Sequence, residues 1–413
     1  MEASQKKDRT LKFLIICLAI FIQQSSVIAD VNISIADFIT VILIIYIALF
    51  YSNQFKFNLI VQFMIALFVY RLLITLYFLL FNEFVSVSFK EIIASTVKFS
   101  FIVVYFLLAY IIFNLSEYNM TFIRTYIMSS TIIGMLCILA GQLKIGIIMN
   151  IFFFDEIRSK GLMNDPNYFA MAQIITFIFV FKFIKNNILK MVVSLILIAS
   201  IFTTGSKTAL IILILLSLFY LLVKIFSGNV VHVITILLLI MASIIMVFIF
   251  YNFKAFNINF TDTIPSIERM TSIFQNGRQS IDDSGSNRSL VWWNAISLIK
   301  YSYGFGIGLV DYVHLGSLLN GIDLVAHNTY LQIAVEWGLL FAIVFVGYLI
   351  YIFVKLLANN TNQKNLYLIC ILGVLMLYFM TVSFNNSRYV AFIIGLLSFM
   401  VSNKKARSVY HDK

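Results

Sequence analysis

The sequence is poor in charged residues and in proline. Only 11% of its 413 residues are charged, and it contains two prolines. A soluble domain carries about 25% charged residues, so this composition excludes an ordinary soluble globular protein. Hydrophobic residues instead make up 62% of the chain, and its mean hydropathy is +0.99. The composition therefore predicts a protein that resides in a membrane.

Cysteine and histidine are also scarce. The three cysteines all lie within apolar runs, so we expect no disulfide framework. None of the four histidines lies at metal-ligand spacing from another, so we predict no metal site and no cofactor. The net charge of +11 is typical of a membrane protein with basic cytoplasmic loops, so we expect no nucleic-acid partner.

Apolar runs of about 20 residues recur along the chain and predict its fold class. Each run is long enough for a transmembrane helix, whereas a membrane barrel would show alternating segments of about 10 residues. We predict an all-α polytopic membrane protein with about 12 transmembrane helices and one large external loop. The predicted spans are 11–28, 34–51, 58–80, 93–114, 122–140, 167–185, 188–204, 208–226, 231–252, 327–355, 366–384 and 388–402.

The distribution of lysine and arginine predicts the orientation in the membrane. Short loops rich in these residues stay on the cytoplasmic side. Counting spans from the basic N-terminus places both termini on that side. The opposite side receives 141–166, a tight turn at Lys207, the long loop 253–326 and the turn before Arg388.

The long loop divides the chain into three predicted regions. Residues 1–252 form a transmembrane bundle of about nine helices, 253–326 form a large periplasmic loop, and 327–413 hold the C-terminal transmembrane helices and a cytoplasmic tail. Within the loop, Pro265 begins one predicted short helix, and Arg288 begins another that runs to about Tyr301. Paired tryptophans in the second helix suit the membrane interface, and the polar stretch 276–289 is predicted to be mobile.

Three local features are candidates for function. Arg71 lies in the middle of an apolar run, where arginine is costly, and the sequence indicates no partner for it; a structural role facing the helix bundle is as compatible with the pattern as a functional one. His327 begins the predicted helix 327–355, whose N-terminal dipole favours a neutral imidazole, as a general base requires. A lone histidine there is also compatible with a capping or interfacial role. The glycines of 304–308 (GFGIG) do not lie in a βαβ unit, so we predict a flexible turn that returns the chain to the membrane.

The predicted external side collects cations, among which Lys207 lies close to the membrane surface. Its side chain either reaches water by snorkelling or faces an anionic lipid headgroup. Fixed cations and a neutral histidine suit group transfer from a lipid-linked pyrophosphate, because the cations stabilise the leaving group and the histidine takes the proton of the acceptor hydroxyl. The external basic residues are Arg158, Lys160, Lys207, Arg269, Arg278, Arg288 and Arg388.

Four segments, in order, resemble the O-antigen polymerase/ligase superfamily of Wzy-type polymerases and WaaL-type ligases. They are 158–170 (RSKGLMNDPNYFA), 204–210 (TGSKTAL), Arg288 with the tryptophans and glycines after it, and 327–338 (HNTYLQIAVEWG). The family usually has arginine where this chain has Lys207. Lysine keeps the charge but loses the two-pronged geometry of arginine.

The resemblance implies a GT-C-like architecture and a metal-independent membrane glycosyltransferase. Its substrate would be an undecaprenyl-pyrophosphate-linked oligosaccharide at the periplasmic face of the bacterial inner (plasma) membrane, in O-antigen (lipopolysaccharide) or related polysaccharide biosynthesis. A chain-length regulator and a flippase would be its protein partners. The segment 165–167 favours a polymerase that adds repeat units. The alternatives are a ligase that transfers the glycan to lipid A-core, and a non-enzymatic glycolipid flippase or transporter.

The resemblance and the charge pattern together give the predicted site residues. His327 and Arg288 are the catalytic candidates. The candidates for binding pyrophosphate or glycan are Lys207, Arg158, Arg269, Asn328 and Glu336. For Glu336, the alternative is a role in stabilising the helix bundle.

Overall fold

A computed structural model describes residues 2–25, 33–51, 59–81, 89–115, 118–144, 146–155, 157–226, 287–358 and 365–402. Several predictions fall outside these described residues. They are the span 231–252, the short helix that begins at Pro265, the mobile stretch over 276–286, and the basic residues Arg269 and Arg278.

Helices make up nearly all of the regular structure in the described ranges, which confirms the predicted all-α polytopic fold. The strands β1 (Phe153–Phe154) and β2 (Arg158–Ser159) form one two-residue antiparallel hairpin. The helices are α1 (Glu2–Phe21), α2 (Ile35–Phe50), α3 (Leu59–Phe81), α4 (Phe89–Asn114), α5 (Asn119–Leu143), α6 (Gly146–Phe152), α7 (Pro166–Phe183), α8 (Asn187–Thr203), α9 (Lys207–Phe226), α10 (Arg288–Tyr301), α11 (Tyr312–Asn320), α12 (Thr329–Trp337), α13 (Leu339–Ala358), α14 (Leu366–Phe379) and α15 (Arg388–Ser402).

Five segments in the described part of the chain are long and apolar enough to cross a membrane. They lie in α3, α4, α5, α7 and α13, and five shorter apolar helices accompany them. The exposed surface of α13 has the character of a lipid-facing surface, because Leu340 and Ile343 expose 68% and 67% of their surface. Continuous exposed apolar surface of this kind marks contact with a membrane.

The predicted single helix over 327–355 is wrong. The structure has two helices there, α12 and α13, separated by Gly338 at φ 85° and ψ 159°. A side chain on Gly338 would approach the carbonyl oxygen of Phe305 to 2.5 Å, so the position requires glycine. Hydropathy is continuous across the break, which is why the apolar run alone gave one helix.

The described chain forms two compact units. The first contains 1–22, 33–125 and 281–413, and the second contains 23–32 and 126–280. In the first unit, α4 packs closely against α15. A side chain on Gly395 would clash with the carbonyl of Phe106 and lie 3.0 Å from the Cβ of Ala109, so small residues allow the two backbones to approach.

An ion pair joins the N-terminal ends of α2 and α15 in the first unit. The Nε of Arg388 lies 3.0 Å from the Oδ1 of Asp37, which is buried. Asp37 also accepts a hydrogen bond from the Tyr105 hydroxyl and completes a capping box with Ser34. The two helix ends therefore lie at the same end of this unit, as alternating spans require, while the side of the membrane stays a prediction.

The glycine-rich turn 304–308 fills the break between α12 and α13. The amide of Ile307 donates to the carbonyl of Val335 at 2.8 Å, and the amide of Gly308 donates to that of Glu336 at 3.1 Å. The amide of Leu339 in turn donates to the carbonyl of Gly304 at 2.8 Å. Irregular backbone persists at membrane depth only where protein partners satisfy it, and these bonds supply such partners.

The same turn packs against the middle of α3. The Tyr70 hydroxyl donates to the carbonyl of Phe305 at 2.7 Å, and the amide of Leu309 donates to Thr75 Oγ1 at 2.8 Å. Thr75 lies six residues before the end of α3, which is about 9 Å along the helix axis. The turn thus returns the chain to the helices of the first unit, as predicted, but the predicted flexibility is wrong, because hydrogen bonds to α3, α12 and α13 hold it in place.

The second unit contains a buried polar seam between α5 and α7. The hydroxyls of Ser130 and Thr176 lie 2.8 Å apart, and Gln173 Nε2 donates to the Ser130 carbonyl at 3.2 Å. A side chain on Gly134 would lie 3.1–3.2 Å from Ser200 and Gln173, so α8 approaches the same seam. Polar contacts of this kind hold helices together where lipid removes the hydrophobic driving force.

We predict that Gly308→Ala lowers the stability of the protein by about 3 kcal/mol. The new Cβ would lie 2.5 Å from Thr75 Oγ1 and 2.6 Å from the Arg71 carbonyl, at a φ of +69°. Overpacking costs about 1–3 kcal/mol and a left-handed backbone about 1–2 kcal/mol. Gly321→Ala is the matched control, because Gly321 has the same φ of +69° and no atom within 4 Å of the new Cβ. Thermal unfolding in detergent would contradict the prediction if both variants lost equal stability.

Candidate functional site

His327 lies just before α12, in a left-handed backbone conformation that is uncommon for residues other than glycine. Its φ is +47°, and its side chain is half-buried. Left-handed backbone costs a residue other than glycine about 1–3 kcal/mol and is concentrated at functional sites. Asn328 follows as the N-cap, and its Oδ1 accepts a hydrogen bond from the amide of Leu331 at 3.1 Å. The helix therefore begins at Thr329 and not at His327 as predicted.

Thr329 attaches the beginning of α12 to the loop 381–387 between α14 and α15, of which residues 382–385 are buried. Its hydroxyl donates to the carbonyl of Val382 at 2.6 Å and accepts from the amide of Phe384 at 2.9 Å. The next residue, Tyr330, donates its hydroxyl to the carbonyl of Met376 at 3.1 Å. Side chains on both sides of the first turn thus fix the helix that follows His327.

Glu336 lies near the other end of α12, buried among polar partners. Its carboxylate accepts hydrogen bonds from Gln332 at 3.0 Å, Asn385 at 2.7 Å and Arg71 at 3.3 Å. Only 5% of Glu336 and 3% of Arg71 is exposed. Eight residues separate Glu336 from Asn328, which is about 12 Å along a helix axis. The structure therefore does not bring Glu336 to His327.

Arg71, for which the sequence indicated no partner, is paired. In addition to Glu336, its Nε and Nη2 donate to the carbonyl of Gly308 at 3.0 and 2.7 Å. Its guanidinium carbon lies 4.6 Å from the centre of the Phe99 ring, within range of a cation–π contact. The buried arginine thus joins α3, the glycine turn and α12.

Arg288 is the first residue of α10, as the sequence predicted. The N-cap Asn287 has left-handed backbone, with φ 34°. Two buried residues of α10, Ala295 and Leu298, share a hydrophobic cluster with Val335 of α12. The helix that begins at Arg288 therefore packs against the helix that follows His327. The tryptophans of α10 are exposed, and their contact with the membrane interface stays a prediction.

A cavity of about 530 Å³ lies beside α12 in the first unit. Most of its walls are apolar or aromatic, and Thr329, Asn385 and Ser387 contribute polar atoms. Two of these polar residues, Thr329 and Asn385, also belong to the contacts that fix α12. The cavity is apolar and large enough for part of a hydrocarbon chain.

In the second unit, the segments 158–170 and 204–210 meet. The Nε of Arg158 donates to the carbonyl of Thr204 at 2.9 Å, and the hydroxyl of Ser206 donates to Asn167 Oδ1 at 2.8 Å. Arg158 and Lys207 are thus brought to one place, because Lys207 directly follows Ser206. In the sequence, the segments 158–170 and 204–210 are separate motifs about 40 residues apart.

Two helix N-termini belong to this part of the second unit. Asp165 caps α7 by accepting from the amide of Asn167 at 2.6 Å, and Ser206 accepts from the amide of Ala209 at the beginning of α9. The Ser206–Asn167 bond joins the two first turns. The Asp165 carboxylate already compensates the partial positive charge at the N-terminus of α7, whereas the neutral Ser206 caps α9. The partial positive charge of α9 adds to the charges of Arg158 and Lys207 and favours an anion.

In the part of the chain that the structure describes, no three His, Cys, Asp or Glu side chains form a group that could hold a metal ion. Metal independence itself stays a prediction. Of the seven predicted site residues, Arg269 lies outside the described ranges. The first unit holds Arg288, His327, Asn328 and Glu336, and the second holds Arg158 and Lys207.

The comparison with protein families matches a part of the chain. Residues 192–346 match the family model Wzy_C, described as O-antigen ligase. The predicted resemblance to the O-antigen polymerase/ligase superfamily is confirmed. Searches of curated proteins and of solved structures find no match. The family supports a multi-pass bacterial membrane protein of the membrane glycosyltransferase type, with lipid-linked glycans as substrates. The family match is consistent with both the polymerase and the ligase hypothesis.

Sequence reasoning missed several residues that shape the site. Thr329 appeared only as a variable position of the histidine motif, and Asn385 only as part of an external turn. Thr329 bonds to the loop that contains Asn385, and Asn385 bonds to the helix that contains Thr329. No local pattern shows these bonds, because the partners lie about 50 residues apart. Polar residues within an apolar run are the one available signal, since lipid gives them no partner.

We predict that Arg71→Met and Glu336→Gln each lower stability by about 3–5 kcal/mol, because each leaves the partner charge buried and uncompensated. Glu336→Gln keeps the shape of the side chain, so its effect reports the charge. Combining both changes should cost less than the sum of the two, since no unpaired charge then remains. Thermal unfolding of the four proteins in detergent measures this coupling. Strictly additive losses would show that the two charges do not stabilise each other.

Proposed function

We propose that the protein is a polysaccharide repeat-unit polymerase, a membrane glycosyltransferase acting at the periplasmic face. It would transfer a growing O-antigen or related surface glycan from undecaprenyl pyrophosphate to the next lipid-linked repeat unit. The observation that carries the proposal is the family match, since 192–346 contains six of the seven predicted site residues and Arg158 alone lies outside it. Both termini would lie in the cytoplasm.

His327 is the proposed general base. In the transfer, a hydroxyl oxygen of the acceptor sugar forms a bond to the anomeric carbon of the donor glycan, and the bond from that carbon to the pyrophosphate oxygen breaks. His327 takes the hydroxyl proton, and undecaprenyl pyrophosphate leaves with the electron pair. The position before α12 supports this role, because the helix dipole disfavours imidazolium and keeps the ring available as a base.

Cationic side chains are proposed to bind the pyrophosphate. Arg288 stands at the first turn of α10, where its charge and the helix N-terminus both attract an anion. Lys207 is likewise the first residue of α9, and Arg158 of β2 donates to the carbonyl of Thr204 close to that helix start. Arg269 is a secondary candidate from the sequence. Charge-assisted bonds to a leaving pyrophosphate stabilise the negative charge that grows as the glycosidic bond breaks.

The cavity beside α12 supports a lipid-linked substrate. Its apolar walls suit the hydrocarbon chain of the carrier, and Thr329 in its wall lies two residues from His327. A chain held there would keep its pyrophosphate end near the head of α12. Asn328 is retained as a candidate for binding the glycan. Glu336 is reassigned from substrate binding to holding α12, because its partners are Arg71, Gln332 and Asn385.

An O-antigen ligase is the second candidate, because the matched family model carries that description. A deletion strain separates the two. Loss of a polymerase leaves lipid A-core capped with a single repeat unit, whereas loss of a ligase leaves unsubstituted core and lipid-linked polymer. A flippase would move lipid-linked glycan across liposomes without changing its length. The broken helix at Gly338 suits a transporter too, but such folds carry paired breaks in two related halves.

We predict that His327→Ala and Arg288→Ala abolish the glycan ladder at normal expression. A general base contributes about 10²–10⁴-fold to a rate, and one fixed donor about 10²–10³-fold. The measurement is the length distribution of surface glycan in the complemented deletion strain. His314→Ala is the control, because His314 bonds to Glu91 of α4 and is assigned no role in transfer. Full-length ladders from both site variants would contradict the proposed function.

Lys207 offers a separate test of pyrophosphate binding. Lys207→Met removes the charge while keeping much of the side-chain length, so we expect transfer to fall by about 10–100-fold. Lys207→Arg keeps the charge and restores the residue usual in the family, so its activity should equal or exceed that of the unchanged protein. Initial rates with defined lipid-linked repeat units measure both. Equal activity of the methionine variant would remove Lys207 from the site.

A further inference from the structure

The left-handed backbone of His327 is strained and requires stabilising contacts from the surrounding structure. Its left-handed φ of +47° lies between Ala326, which is fully buried, and the cap Asn328. The cap bond to Leu331 lies within α12 and moves with that helix. Conformations of this kind persist only where surrounding contacts determine them. The side chain of Thr329, two residues after His327, joins this segment to a different part of the fold.

Thr329 makes two hydrogen bonds through one hydroxyl group, which both donates and accepts. Among side chains of similar size, only a hydroxyl combines the two roles. It donates to the Val382 carbonyl at 2.6 Å and accepts from the Phe384 amide at 2.9 Å. Both partners belong to the buried part of the loop 381–387. Buried backbone groups require partners, so the hydroxyl is needed by the loop as much as by α12.

The same loop also holds the far end of α12. Asn385 donates to Glu336 at 2.7 Å, and Glu336 is fixed in turn by Arg71. The loop 381–387 is therefore hydrogen-bonded to the nine-residue helix α12 near both of its ends. A helix attached at two points cannot slide or rotate without breaking one attachment, so the position of its first residue is determined.

We propose that Thr329 is a positioning residue, whose hydroxyl, held by the loop 381–387, keeps His327 in the left-handed conformation that its role requires. The proposal rests on the proposed function for the role of His327. Thr329 itself does not touch the reacting atoms. Its action is to set where the imidazole stands, and a displacement of about 1 Å at a reacting group can cost about 100-fold in rate.

Two substitutions separate the hydroxyl from the packing of the side chain. Thr329→Val keeps the shape and removes both bonds, whereas Thr329→Ser keeps both bonds and removes one methyl group. Thr96→Val is the matched control, because the Thr96 hydroxyl donates to Ile92 within its own helix α4. All three are made in the full-length protein, purified in detergent and compared by thermal unfolding.

The first measurement is the initial rate of transfer between defined lipid-linked repeat units. We expect Thr329→Val to lower kcat by about 10–100-fold with little change in KM, since the substrate still binds beside a displaced base. Thr329→Ser should keep most of the activity, and Thr96→Val should keep all of it. Equal losses in the valine and serine variants at position 329 would overturn the proposal, because packing alone would then explain them.

The second measurement needs no catalytic activity. Diethyl pyrocarbonate modifies accessible histidine rings, and mass spectrometry gives the rate at each site. We expect Thr329→Val to raise the rate at His327 severalfold while leaving the rate at His314 unchanged, and Thr329→Ser to change neither. An unchanged rate at His327 in Thr329→Val would overturn the positioning role. Full activity of His327→Ala would instead contradict the proposed function, whatever the modification rates show.

Discussion

The carboxylate of Glu336 is the contact on which the first unit depends. It accepts bonds from its own helix, from Asn385 in the loop 381–387 and from Arg71 in α3. Arg71 extends the connection to the glycine turn through the carbonyl of Gly308. A buried charge without partners is strongly destabilising, so every partner constrains where the others lie. The arrangement fixes α12, and with it the segment that carries His327.

The break at Gly338 and the turn 304–308 form a matched pair. A helix interrupted among apolar helices leaves carbonyl and amide groups without partners, which lipid cannot supply. The turn supplies them through backbone bonds to Val335, Glu336 and Leu339. Glycine is required at Gly306 and Gly338 because each would place a side chain against the backbone of the other segment. Neither feature would be stable without the other.

The parts of this fold that local sequence determines were predictable. The span 58–80 became α3 at Leu59–Phe81, and α10 begins at the predicted Arg288, because hydropathy and helix-start signals act over a few residues. Candidate site residues were recognised from charge and from the order of motifs. The break at Gly338 was not predictable from hydropathy, since its immediate neighbours Trp337 and Leu339 are apolar.

The partners of the buried residues were also beyond reach. Arg71 and Glu336 are 265 residues apart, and the sequence around each residue does not indicate that the other is its partner. The bonds of Thr329 to Val382 and of Arg158 to Thr204 likewise join segments about 50 residues apart. The left-handed backbone of His327 is not visible in the sequence, because the surrounding structure imposes this conformation. Tertiary contacts, which single-sequence patterns do not encode, decide each of these.

The distance in sequence between Arg71 and Glu336 has a consequence for biosynthesis. The ribosome makes α3 long before α12, and at about 5–20 residues per second the interval is roughly 13–50 s. During that time Arg71 has entered the membrane without its carboxylate, at an insertion cost of about 2.5–3.5 kcal/mol at the helix centre. The nascent protein therefore carries this cost, which the apolar residues of α3 offset, until the last third of the chain brings Glu336.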